Sequence, residues 1–261
     1  MKRLLIGAGI IVAAYVLLAY VALPAVWAHY ERQPGLADHP MVTKTGRGIP
    51  GDPLNVGLVA DREDIIRAMH AASWYPADPV TLRSSIDIIG SVILDRPYHA
   101  APVSPLYYDG RREDLAYEMP VGTSARQRHH VRLWRVLETG VEGRPVWLGS
   151  ATFDQHVGLS DYTGQVTHDI GPDIDAERDF FADSLTKAGM AEAIYQVSGV
   201  GPTLNGRNGE GSPYYTDGEI RMLTLVQDGK RRSEPPLMET PPAFIQAKDA
   251  AWHSIRTAFG G

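Results

Sequence analysis

The chain of 261 residues has no cysteine. That excludes disulfides, thiolate metal sites and a cysteine nucleophile. Charge is missing from one long stretch: Leu4 to Ala28 carries none, directly behind Lys2 and Arg3. Catalytic signatures are missing too. There is no His-Glu-x-x-His and no EF-hand loop. Ser150, in Leu148-Gly-Ser-Ala-Thr152, lacks the Gly-x-Ser-x-Gly elbow, and Ser104 and Ser160 have no better context. Gly201 and Gly206 have P-loop spacing, but Arg207-Asn208 follows where Lys and Ser or Thr are required. Gly199-x-Gly201 lacks the third glycine of a dinucleotide fingerprint, and no helical pattern follows to offer its N-terminus to a phosphate. Nucleotide binding is rejected, and no cofactor is expected.

What is present begins with the apolar run. Its 25 residues are enough to cross a hydrocarbon core of about 30 Å as a helix. Pro24 sits near the far end, where a kink is tolerated in lipid, and Trp27 and Tyr30 fall where an interfacial aromatic belt would lie. A cleaved signal peptide has a shorter apolar region, about 7–15 residues. An uncleaved anchor over residues 1–30 is therefore preferred, with the lipid bilayer as partner of residues 4–28. Lys2 and Arg3 would keep the N-terminus in the cytoplasm and place the rest outside it, in the periplasm of a two-membrane cell. All 31 acidic residues and 23 of the 25 basic ones follow the run, giving that part a net charge of −8 with histidine neutral. Such a balance argues against nucleic-acid binding.

Residues 31–53 hold four prolines and four glycines and read as a tether. One globular domain is expected over 54–228 and a Pro-rich tail over 229–261. Within the domain, 54–60 reads as a strand, and Asp61 then caps a helix with Ile65, Ile66 and Met69 on its apolar face. A second helix is predicted from about Thr81 to Leu94. Leu106–Tyr108 and Leu115–Met119 suggest a hairpin about Asp109-Gly110. Strands are predicted at 127–137, 145–154, 192–198 and 219–227, a helix from Pro172 to Lys187 ended by Gly189, and a Gly-rich irregular loop at 199–218. Strands and helices do not alternate regularly, which implies an α+β fold with a largely antiparallel sheet and about three helices. Ile245, Trp252, Ile255 and Phe259 recur at helical spacing in the tail. They predict an amphipathic helix, docked on its own domain or offered to a membrane or a partner.

Several segments resemble the LssY C-terminal domain family. They are Gly48-Ile-Pro-Gly-Asp-Pro-Leu-Asn-Val56, the stretch Trp74–Ser85, His129-His-Val-Arg-Leu-Trp134, Thr167-His168 with Asp173–Arg178, Gly201–Gly206 and Tyr214–Gly218. The likeness runs from about Thr45 to Asp228. It brings no established reaction or catalytic residue set. A lipid or envelope setting is implied by association alone, because some members carry the domain behind multi-span membrane domains that a single anchor replaces here.

Three residue groups could carry chemistry. In the first, Arg126, Arg128, His130 and Arg132 share one face of a predicted strand, with Val131 and Leu133 on the other. Guanidinium forks suit phosphate or carboxylate, so an anionic lipid headgroup is one ligand; a basic ladder neutralised by Glu113, Asp114 and Glu118 is the simpler account. His168, Asp173 and Asp175, with His129 or His156, could hold a metal ion. Asp173 and Asp175 also stand at a helix start, where carboxylates cap free N–H groups. In the Gly-rich loop, Asn205, Arg207, Asn208 and Tyr214 are candidate contacts. The reading taken forward is a non-catalytic, membrane-anchored binding or accessory protein for an envelope component or an integral-membrane partner. The alternative is a metal-assisted hydrolase of a lipid or phosphoester.

Overall fold

The computed structural model describes residues 2–25, 31–77, 83, 105–122, 127–164 and 166–259. The chain opens with helix α1 (Lys2–Leu17), which continues through a π-turn at Leu18–Ala22 to Ala25. It is long and apolar enough to cross a membrane, and none of its residues is buried. Trp27 and Tyr30 lie outside the described residues.

The folded body follows: β1 (Val42–Thr45), β2 (Pro50–Pro53), β3 (Val56–Val59), α2 (Arg62–Ala71), β4 (Tyr75–Pro76), β5 (Leu106–Tyr108), β6 (Arg111–Arg112), β7 (Leu115–Pro120), β8 (Arg128–Leu137), β9 (Val146–Leu159) and β10 (Val166–Ile170). Then come α3 (Ile174–Lys187), β11 (Ala191–Ser198), β12 (Thr203–Arg207), β13 (Pro213–Thr216), β14 (Glu219–Leu225), β15 (Leu237–Met238) and α4 (Ala243–Phe259). Nine strands form the main sheet in the order β15-β11-β14-β3-β9-β8-β7-β4, with β10 added to β9. The pairings β14–β3 and β11–β15 are parallel and the others antiparallel. The expected α+β architecture with a largely antiparallel sheet is what is found.

Strand periodicity divides the core in two. Odd-numbered residues of β8 (Val131, Leu133) and β9 (Trp147, Ala151) meet Ile65 and Met69 of α2 and Phe181 and Leu185 of α3. Even-numbered residues (Trp134, Val146, Leu148) face the other way, toward Leu36, Leu54, Leu106 and Tyr108. Asn55 pins the two layers together. Its amide donates to the carbonyls of Ala151 and Ile174, both at 2.9 Å, and its oxygen accepts from Ala151 N–H at 2.8 Å. Asp173 caps α3, accepting from Ala176 N–H at 3.0 Å, and Gly189 ends that segment with φ +72°. Asp61 precedes α2 but makes no side-chain cap bond. Asp64, one turn on, instead accepts from Arg144 Nη2 at 2.9 Å and from Asp228 N–H at 2.9 Å.

Three expectations are corrected. Residues 31–53 are not a tether: they form a short helical turn (Pro34–Leu36), β1 and β2, and Gln33, Leu36, Thr43 and Asp52 are buried. Proline and glycine there shape turns over the sheet instead of loosening the chain. The Asp109-Gly110 turn joins β5 to β6, not to β7. With β1 and β2 these make a small second sheet of order β2-β1-β5-β6 that lies over the even-numbered face. The stretch 199–218 contains a ladder, β12 with β13, around the tip Asn208–Gly211. The tail helix takes the first of its expected placements: α4 docks on its own domain, with Ile245 and Trp252 buried and Ile255 exposed. Lys248 pairs with Glu219, and Arg256 pairs with Asp173 and stacks 4.8 Å over the Tyr215 ring. The side chain of Phe259 and the helix predicted at 81–94, Arg83 excepted, lie outside the described residues.

Candidate functional site

The first candidate group sits on β8. Arg128, His130 and Arg132 share the even-numbered face as the alternation requires, but that face is covered, and all three are at most 6% exposed. They do not form a surface stripe. Arg128 donates from Nε to Asp154 on β9 (3.0 Å) and from Nη1 to Glu118 on β7 (2.8 Å). Arg132 Nη1 lies 3.5 Å from Asp52 of β2, which also accepts from Asn208 Nδ2 at 3.0 Å. Arg126 lies outside the described residues.

A small cavity of about 40 Å³ opens among these groups. Asp52, Arg132, Thr152, Asp154, Thr167 and His168 line it from β2, β8, β9 and β10; Asn208, Gly209 and Glu210 close it from the β12–β13 tip. The tip sits tightly, since a Cβ at Gly209 would come within 2.4 Å of Thr45 Cγ2. His168 is 8% exposed, and among the described residues neither its Nε2 nor Arg128 Nη2 has a hydrogen-bond partner. Three readings that the chain order kept apart thus meet here: His168, the β8 arginines and the glycine-rich loop through Asn208. Asp52, Thr152, Asp154 and Thr167 were missed. For Thr152 and Asp154 the signal was the polar alternation Ser150, Thr152, Asp154 in a strand that the sheet holds between β3 and β8.

Burial sets the protonation of this site. The His130 imidazole is held well below its ordinary value by burial, with Arg132, Arg128 and His168 adding to the effect. His168 is lowered too, by burial, against the opposing pull of Asp154. Both rings are neutral near pH 7. Burial pushes the carboxyls of Asp52 and Glu118 up, with Arg132 and Arg128 respectively pulling them back. Three carboxylates and the Arg132 guanidinium line the cavity, with Arg128 paired to Asp154 beside it.

The other named residues are occupied elsewhere. Asp173 is the α3 cap described above. Asp175 accepts from Thr216 Oγ1 at 2.6 Å and from Asp217 N–H at 2.8 Å and lies beside Arg178; its carboxyl is pushed up to about 6 by burial. Among the described residues no group of three His, Asp or Glu side chains is placed to hold a metal ion. His129, on the odd-numbered face, pairs with Glu177 at 2.9 Å and stacks on Phe180 at 3.7 Å between ring centres. The His156 side chain is outside the described set. Arg207 is an outer residue: it donates to the Gly211 carbonyl at 2.6 Å and lies 3.7 Å from Asp161. Asn205 is exposed.

Compared with protein families, residues 36–220 match the model described as LssY C-terminus. The chain belongs to the LssY C-terminal family. The match covers most of the folded body, β1 and β2 included, and every described residue lining the cavity falls inside it. No curated protein and no solved structure matches the chain.

Proposed function

We propose that this LssY C-terminal domain is a membrane-anchored, non-catalytic binding module displayed outside the cytoplasm, serving an envelope component or an integral-membrane complex as an accessory protein. The observation that carries the reading is α1: a helix of 24 residues from Lys2 to Ala25, apolar enough to span a bilayer, with no face buried against the domain. In water that surface would be costly; in lipid it is satisfied. The basic pair Lys2-Arg3 ahead of it favours a cytoplasmic N-terminus. The cavity serves as the seat for one small polar group of the ligand, because Asp52, Asp154, Arg132 and His168 converge on a space of about 40 Å³. Protease added to spheroplasts should digest the domain, and alkaline carbonate should leave the chain with the membrane. Recovery of intact chain in the soluble fraction would end the anchored reading.

A further inference from the structure

We infer that a patch made of Val141, Leu237 and Met238 lies in the bilayer interface beside the anchor; this rests on the anchored reading above. The domain begins almost at once after the helix. Glu31 already accepts from Ser198 N–H at 2.9 Å, and Gln33 is buried, donating to Tyr195 Oη at 2.9 Å. Ala25 and Glu31 are six residues apart in the sequence, which at full extension spans no more than about 22 Å. A membrane seated on α1 therefore keeps the surface around Arg32 close to the headgroups, whose layer is itself about 5–8 Å deep.

Eight large hydrophobic side chains of the folded body are exposed among the described residues, and three of them lie on the two segments that Arg32 joins: Val141 at 59%, Leu237 at 70% and Met238 at 62%. One guanidinium ties the segments together. Arg32 Nε lies 3.2 Å from Glu142, next to Val141, its Nη1 pairs with Glu239, next to Met238, and its plane stands 4.5 Å over the Tyr195 ring. The Val141 N–H donates to Gln33 Oε1 at 3.2 Å, so this loop too is fixed to the point where the chain enters the domain.

Lipid is the occupant that the sequence around the patch favours. Leu237 and Met238 form the two-residue edge strand β15, with Pro235-Pro236 before it and Pro241-Pro242 after it. Prolines lack the N–H groups that an added strand would need, so a protein partner pairing along this edge is disfavoured. Leu and Met beside an arginine suit a headgroup boundary, where apolar tips enter the acyl region and the guanidinium stays wet.

Because the chain has no cysteine, single labels can be placed at will. Full-length Met238→Cys, Leu204→Cys and Ile11→Cys would each carry an environment-sensitive fluorophore in phosphatidylcholine nanodiscs containing acyl-chain spin labels. Leu204 is the control, 49% exposed on β12. The expected result is a blue-shifted emission and several-fold stronger quenching at 238 than at 204, with quenching also at 11. Quenching at 11 but none at 238 would overturn the patch and leave the anchor standing. No quenching at 11 would overturn the anchor and the patch together. Shielding of 238 in native membrane vesicles but not in nanodiscs would overturn the lipid assignment in favour of a covering protein.

Discussion

The two faces of β8 are built on opposite principles. Val131 and Leu133 point toward α2 and α3 and are fully buried among hydrocarbon. Arg128, His130 and Arg132, one residue out of step, are almost as deeply buried among carboxylates and imidazoles. The apolar face is held by area removed from water, which is insensitive to direction and to pH. The charged face needs each partner in place, because an isolated buried charge is far more costly than a paired one is beneficial. A face of the second kind is a poor way to stabilise a fold and a good way to shape a polar cavity, and the cavity is where it lies.

The sharpest way to break this contrast is to remove one member from each face. Arg128→Met leaves the buried Asp154 and the half-buried Glu118 without their cation, and should cost about 3–5 kcal/mol near pH 7. Burial already raises the Glu118 carboxyl while Arg128 pulls it down; without Arg128 it rises further. A carboxyl with a raised folded-state pKa supports stability most fully below its unfolded value and loses that support as pH rises through the folded value. The variant's deficit should therefore shrink toward pH 5 and grow toward pH 8. Leu133→Ala should cost about 2–4 kcal/mol through the cavity it leaves, and its deficit should be the same at both pH values. Urea melts of both variants at pH 5 and pH 8 measure this. Parallel pH behaviour would show that the two faces do not differ in kind.

How much of this was legible depended on range. Period-two alternation separated Val131 and Leu133 from Arg128 and Arg132, and helix-end chemistry found Asp173 and Gly189, because those signals are local. Arg132 with Asp52, and Asn208 with the same carboxylate, are pairs made across 80 and 156 positions by sheet stacking; no spacing rule sees them. Residues 31–53 read as a tether because their composition is that of a linker. Their burial comes from Leu36, Thr43 and the run 51–53, which show no period. In the glycine-rich stretch, Gly206 lies against the Tyr214 ring, where an added Cβ would meet ring carbons at 2.4 Å. That glycine marks close approach in a ladder, a use that composition alone does not separate from looseness.

The contrast can be sharpened at the edge of the apolar face, where charge returns. Glu219, at the start of β14, is buried against Lys248 of α4, and burial pushes its carboxyl up to about 7. Asp175 is shifted in the same direction, to about 6. Both groups support the fold most fully below their unfolded values near 4.5 and 3.8, and both lose that support as pH rises toward 7. These two groups therefore favour pH 5 over pH 8, while His130 and His168, held below their ordinary value, pull the other way as pH falls through 6.5. Glu219→Gln should raise stability at pH 8 relative to pH 5, by on the order of 1–2 kcal/mol. Stability measured at half-unit steps from pH 5 to pH 8 checks it; an unchanged slope would mean that Glu219 stays ionised throughout.

The smallest effect isolates depth from charge. Arg207 is the same residue type as Arg128 and also faces a carboxylate, Asp161, but its side chain is 55% exposed where that of Arg128 is 4%. Water screens the Arg207 pair, and removal of either partner leaves the other solvated. Arg207→Ala should therefore change stability by no more than about 0.5 kcal/mol, with no pH dependence between 5 and 8. Its hydrogen bond to the Gly211 carbonyl joins residues four apart in the same hairpin, so its loss is local. A cost approaching that of Arg128→Met would place the energetic weight of this region in the β12–β13 tip and not in the covered face of β8.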